Sequence, residues 1–318
     1  MQRRMLLAAA LAAPVAARAQ APAWPGRPIR IIVPFAPGGS GDITARLIGA
    51  HIEARTGQAV VVDTRPGANG VVGMMAAKQA EPDGHTLVVA TTSTHAANPS
   101  MMRNLSYDPE RDFTTVGYYA SNGTYLVVKP DAPWRDAQAL VAEAKAKPGQ
   151  VSYGYFNASS QVPGAYLGVV AGVQLLGVPY RAIGTAFADL MAGRLSFIFV
   201  DTTAGDAFIR QGQVRPIAVS RDGRWSRWPD LPALSETWPD FVLTGFLGMA
   251  VPAATPRPVA ERINALINEA IMTEAIHARL LAFGFNPEPV DLPRIAELVR
   301  QEREKWARYT RMAGIEPE

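Results

Sequence analysis

The chain has no cysteine, which excludes disulfide cross-links, thiolate metal ligands and a cysteine nucleophile. Histidine is scarce as well. The four residues His51, His85, His95 and His277 show no metal-ligand spacing, so no metal site is expected. No Gly-x-Gly-x-x-Gly follows a strand, and no phosphate loop occurs. Ser40 sits among glycines but outside a Gly-x-Ser-x-Gly frame, so it is not read as a nucleophile. No cofactor and no catalytic residue is assigned, and the protein reads as a non-enzyme. Past the amino terminus, no apolar run is long enough to span a bilayer.

What is present is ordinary for a globular protein. The 318 residues suffice for two domains, and 48% hydrophobic with 19% charged content is average. Residues 1–19 read as a signal peptide. Arg3-Arg4 forms a basic start, Met5 to Val15 a short apolar stretch, and Ala17-Arg18-Ala19 a cleavage site after Ala19. The paired arginines fit either a general secretory or a twin-arginine signal, and no cysteine follows to accept a lipid. The expected location is the periplasm. Three of the 31 basic residues and no acids lie in this leader, which leaves 28 basic against 28 acidic residues. That balance offers no case for a nucleic-acid partner or for membrane insertion.

The stretch Ile29 to Arg46, IRIIVPFAPGGSGDITAR, organises the rest. Ile29, Ile31, Ile32, Val33 and Phe35 predict a buried strand. Pro37-Gly38-Gly39-Ser40-Gly41 ends it, and Asp42 is placed to N-cap a helix bearing Ile43, Leu47 and Ile48. Strand, glycine turn and helix start aim free N–H groups at an anion. The stretch reads as half of a site for a small carboxylate, against the plainer reading of an unliganded turn.

Further strands at Ala59 to Val62 and Leu87 to Ala90 alternate with helices, which argues a parallel α/β sheet with ligands at the strand carboxyl ends. The polar loop Thr91-Thr92-Ser93-Thr94-His95 then shares an edge with the glycine loop. After a crossover near Ser121-Asn122-Gly123, a second α/β series begins at Val151 to Phe156, with a polar loop at Asn157 to Gln161. The chain returns at Phe246 to Val251 and ends in two amphipathic helices. The expected fold is two α/β lobes closing on a cleft: residues 20–121 with 244–318, and residues 122–243.

Several landmarks occur in order: PFAPGGSGD at Pro34 to Asp42, Arg65-Pro66-Gly67-Ala68-Asn69-Gly70, Pro82-Asp83-Gly84-His85-Thr86-Leu87, Asn98-Pro99 and Val178-Pro179-Tyr180. With these the chain resembles the solute-binding receptors of tripartite tricarboxylate transporters, the Bug family, over nearly all of its length. The resemblance implies a type II-like, two-lobed periplasmic binding protein of Venus-flytrap form. It further implies a small-molecule carboxylate ligand and permease subunits as partners, and a monomer is expected. An orphan receptor signalling to a sensor partner, and an exported nucleotide-using enzyme, are the alternatives.

The implied contacts are Phe35, Ala36, Pro37, Gly38, Gly39, Ser40 and Asp42 in the first loop, and Thr92, Ser93 and His95 on the same edge. Tyr155, Phe156, Asn157, Ser159, Ser160, Arg181, Asp201 and Thr202 complete the set from the second lobe. Plainer readings stand beside these: Asp42 as a helix cap, Arg181 as a solvated cation, Asp201 as the start of a turn, and His95 as a residue away from the cleft. The second-lobe loop departs from the family's Tyr-Gly-Ser-x-Gly-x-Gly-Ser-x-x-His: it reads Tyr153-Gly154-Tyr155-Phe156-Asn157-Ala158-Ser159-Ser160-Gln161. It loses glycines and gains aromatic surface at Tyr155 and Phe156. The expected ligand is therefore a carboxylate with an aromatic or apolar body.

Overall fold

The computed structural model describes residues 24–121 and 123–317; the expected leader and its cleavage site lie outside the described residues. In chain order the first lobe contains β1 (Ile29–Val33), α1 (Ser40–Thr56), β2 (Val60–Thr64), α2 (Val71–Lys78), β3 (Thr86–Thr91), α3 (Asn98–Met101) and β4 (Phe113–Ser121). The second lobe follows with β5 (Thr124–Val128), α4 (Ala137–Ala146), β6 (Ser152–Tyr155), α5 (Ala158–Ala171), β7 (Leu176–Pro179), α6 (Ile183–Met191), β8 (Phe197–Asp201), α7 (Thr202–Arg210) and β9 (Arg215–Val219). The chain then returns through β10 (Gly245–Pro252), α8 (Arg257–Met272), α9 (Glu274–Ala282), β11 (Phe285–Asn286) and α10 (Leu292–Met312).

Two mixed sheets result. The first runs β11-β4-β10-β3-β1-β2 and the second β7-β6-β8-β5-β9. In the first, β1 pairs in parallel with β2 and β3, while β10 lies antiparallel between β3 and β4. β1 is apolar apart from Arg30, which pairs with Asp63, because helices cover both of its faces; Ile31, Ile32 and Val33 are fully buried. Its end leads into α1, which closes at Gly57 in the left-handed conformation. In the second sheet β6 lies parallel to β7 and β8, and β5 is antiparallel to β8 and β9.

One apolar cluster continues beneath both lobes, from Tyr118 and Phe246 through Trp306 to Phe199, Phe241 and Tyr166. The return crossover is bonded to both sides. Tyr309 Oη donates to the Val242 carbonyl, Ser220 Oγ to the Leu243 carbonyl at 2.9 Å, and Trp306 Nε1 to the Thr244 carbonyl at 3.1 Å. Ser220 Oγ also accepts the Thr124 N–H at 2.9 Å. It thereby joins the two crossovers.

The structure corrects two local expectations. Thr91–His95 is not a loop: Thr92–Ala97 forms a wide π-type helical turn running into α3. Thr91 Oγ1 accepts the Thr94 N–H and Thr94 Oγ1 accepts the Thr91 N–H, both at 3.1 Å, so these polar residues satisfy one another and bury. Nor does Asp42 cap α1. The cap is Gly39, and Asp42 lies within the first turn, where it accepts the Gly38 N–H at 3.0 Å and pairs with Arg46.

Candidate functional site

The carboxyl ends of β1, β3, β6 and β8 face a cleft of about 810 Å³ between the lobes. From the first lobe come Phe35, Ala36, Gly39 and Ser40 on the glycine loop, Asn69 on the turn after β2, and Thr92 and Ser93 after β3. The second lobe contributes Thr124, Phe156, Asn157, Ser159, Ser160, Tyr180, Arg181, Ile183, Phe199 and Asp201. Leu243, Gly245, Phe246 and Trp306 form the floor.

Twelve of the residues named from sequence line this cleft: Phe35, Ala36, Gly39, Ser40, Thr92, Ser93, Phe156, Asn157, Ser159, Ser160, Arg181 and Asp201. Six do not. Pro37 and Gly38 point outward and are exposed, the cost of a turn that must leave the sheet edge. Asp42 is buried behind the loop by its bonds to Gly38 and Arg46. His95 is fully buried because the π turn directs it to the core, with Nδ1 3.0 Å from Thr94 Oγ1 and its ring against Phe113. Tyr155, still on β6, packs beside the Tyr153 ring. Thr202 donates to the Phe283 carbonyl at 2.5 Å and is covered by it.

Sequence reasoning missed Asn69, Thr124, Tyr180, Ile183, Phe199, Leu243 and Trp306. Asn69 carried a usable signal. It precedes a glycine and sits at φ 52°, a conformation that asparagine tolerates better than most residues.

Helix starts dominate the polar chemistry here. The turns beginning at Thr92, α5 and α7 are capped by Thr91, Asn157 and Asp201. Gly39 and Ala182, which begin α1 and α6, bring no side-chain acceptor. Their first turns keep N–H groups for an outside acceptor. Among the described residues, Arg181 is the sole lysine or arginine lining the cleft, and Asp201 the sole acid. Burial raises the pKa of the Asp201 carboxyl, partly offset by the N–H groups of Ala204 and Thr203 and by the Ser40 hydroxyl across the cleft. Burial lowers that of His95 to about 3, with the nearby Arg303 charge adding to the effect. Among the described residues, no group of three metal-ligating side chains comes together and no helix is long and apolar enough to cross a membrane.

With this geometry in place, similarity to known proteins is informative. The chain is 30% identical to the BugT protein of Bordetella pertussis, over 94% of this chain and 93% of that one. Among solved structures, Rpa4515 of R. palustris with adipate superposes with a TM-score of 0.89 at 27% identity, covering 93% of this chain and all of that one. MatC of Rhodopseudomonas palustris with bound malate gives 0.84 at 27% identity, covering 90% and 99%. The sequence model of the tripartite tricarboxylate transporter family receptor matches residues 44–315, and the chain belongs to that family.

Proposed function

We propose that this protein is a periplasmic receptor that captures a small organic carboxylate and delivers it to membrane permease subunits. The observation that carries the reading is the open first turn of α1. Its N-cap supplies no acceptor, it faces the cleft, and oriented N–H groups at a helix start favour an anion. Arg181, across the cleft, supplies a cation able to hold a carboxylate. The solved relatives holding adipate and malate support the ligand class, and the family supports the permease. The reading assigns this site to binding, in keeping with the receptor family.

A thermal-melt panel of organic acids, amino acids and nucleotides tests the proposal. A ligand at about 100 times its Kd adds roughly 2.7 kcal/mol to stability. A shift with acids and none with NAD or ATP is expected. A shift with a nucleotide alone would refute the receptor reading. Co-purification with permease subunits tests delivery.

A further inference from the structure

We infer that this cleft selects monocarboxylates with an aromatic or apolar body over small polar dicarboxylates; the inference rests on the carboxylate reading above. The decisive feature is the start of α5. A small diacid gripped at the start of α5 requires free donors there, and those of Phe156, Asn157, Ala158 and Ser160 are engaged within the protein, which leaves Arg181 and the open first turn of α6 as the second lobe's anion-binding groups. The N–H groups of Phe156 and Asn157 donate to Ser160 Oγ at 3.0 and 3.2 Å. The Ser160 N–H donates to Asn157 Oδ1 at 3.0 Å. The Ala158 N–H donates across the cleft to Asn69 Oδ1 at 3.2 Å. A carboxylate taking any of these four N–H groups must displace a protein oxygen and leave a partner unsatisfied.

What the second lobe presents instead is apolar. Phe156, Ile183 and Phe199 line the cleft from the second lobe, and Phe35 and Phe246 line it as well. Rings of this kind reward an apolar or aromatic body through contact area and ring packing. The cleft volume suits a ligand larger than a four-carbon acid. The charges agree. Among the described residues lining the cleft Arg181 is the sole lysine or arginine, enough for one carboxylate, and Asp201 the sole acid, which disfavours a second.

Calorimetric titration of the purified receptor with benzoate, phenylacetate, malate, adipate and neutral benzamide tests this. The better aromatic acid is expected to bind at least tenfold tighter than either diacid, and benzamide not at all. Asn157→Gly removes the internal acceptor, and glycine is tolerated at helix caps; it should narrow that ratio severalfold by strengthening the diacids. Asn69→Ala, which leaves the α5 cap intact, should narrow it in the same direction by freeing the Ala158 N–H. Diacids binding tighter than both aromatic acids, or a ratio unmoved by both variants, overturns the selectivity alone. Silence of all four acids overturns the carboxylate reading as well.

Discussion

Asn69 and Asn98 are bonded to each other twice. Asn69 Nδ2 donates to Asn98 Oδ1 at 2.7 Å, and Asn98 Nδ2 donates back to the Asn69 carbonyl at 3.0 Å. Asn98 is fully buried and also donates to Tyr107 Oη at 3.2 Å. The pair holds the turn after β2 in its left-handed conformation and aims Asn69 Oδ1 at the second lobe. Asn98→Ala leaves these partners unsatisfied. It should cost about 1–3 kcal/mol, read as a lower urea midpoint at unchanged slope.

Gly245 begins the strand that returns to the first lobe. A Cβ there would sit 2.1 Å from Thr92 Oγ1, the atom that accepts the Phe246 N–H at 2.8 Å. Gly245→Ala should therefore destabilise by about 1–3 kcal/mol through overpacking. Adding Thr92→Ala removes the clashing oxygen, and a double-mutant cycle should show coupling between the two sites.

His95 sets a pH dependence. Its pKa falls from an ordinary 6.5 to about 3 on folding, so below pH 6.5 the unfolded chain binds the extra proton. The stability it contributes is complete above pH 6.5 and declines as pH falls toward 3, by at most ~1.4 kcal/mol per pH unit. His95→Gln should flatten that acid limb in unfolding titrations; an unchanged limb would assign it to other groups.

Asp201 works in the opposite sense. Its carboxyl is raised above the ordinary 3.8, so the folded state holds its proton longer and stability falls as pH rises through that window. Asn accepts the Ala204 N–H as Asp does and is equally good at a helix cap. Asp201→Asn should remove this term without unfolding α7, leaving the variant at least as stable as the parent at pH 7.

The lobes and the glycine loop were legible because their signals are local. A β-branched run, Ile31-Ile32-Val33, followed within four residues by Pro37-Gly38-Gly39 leaves the chain few options. The Thr92–Ala97 turn was not legible. Its residues have no apolar period, and what buries them is reciprocal bonding between Thr91 and Thr94, which composition does not show. Asn69, Phe199 and Trp306 reach the cleft by tertiary placement, from a turn, a strand and the last helix. No spacing in the chain joins them. The occupied donors at α5 fall between these cases: lost glycines were visible, but not that Asn157, Ser160 and Asn69 would fill the donors left behind.

The return crossover has a mechanical consequence. Its successive carbonyls at Val242, Leu243 and Thr244 are moored to Tyr309, Ser220 and Trp306, alternating between the lobes. A bend of this segment that broke one mooring would cost about 1 kcal/mol. Our hypothesis is that the segment works as a torsion bar: the lobes twist past one another, and Phe246 and Trp306 keep their places beneath the ligand. Ser220→Ala cuts one mooring, so it should widen the spread of lobe arrangements seen by small-angle scattering; an unchanged profile would mean that the lobes turn elsewhere.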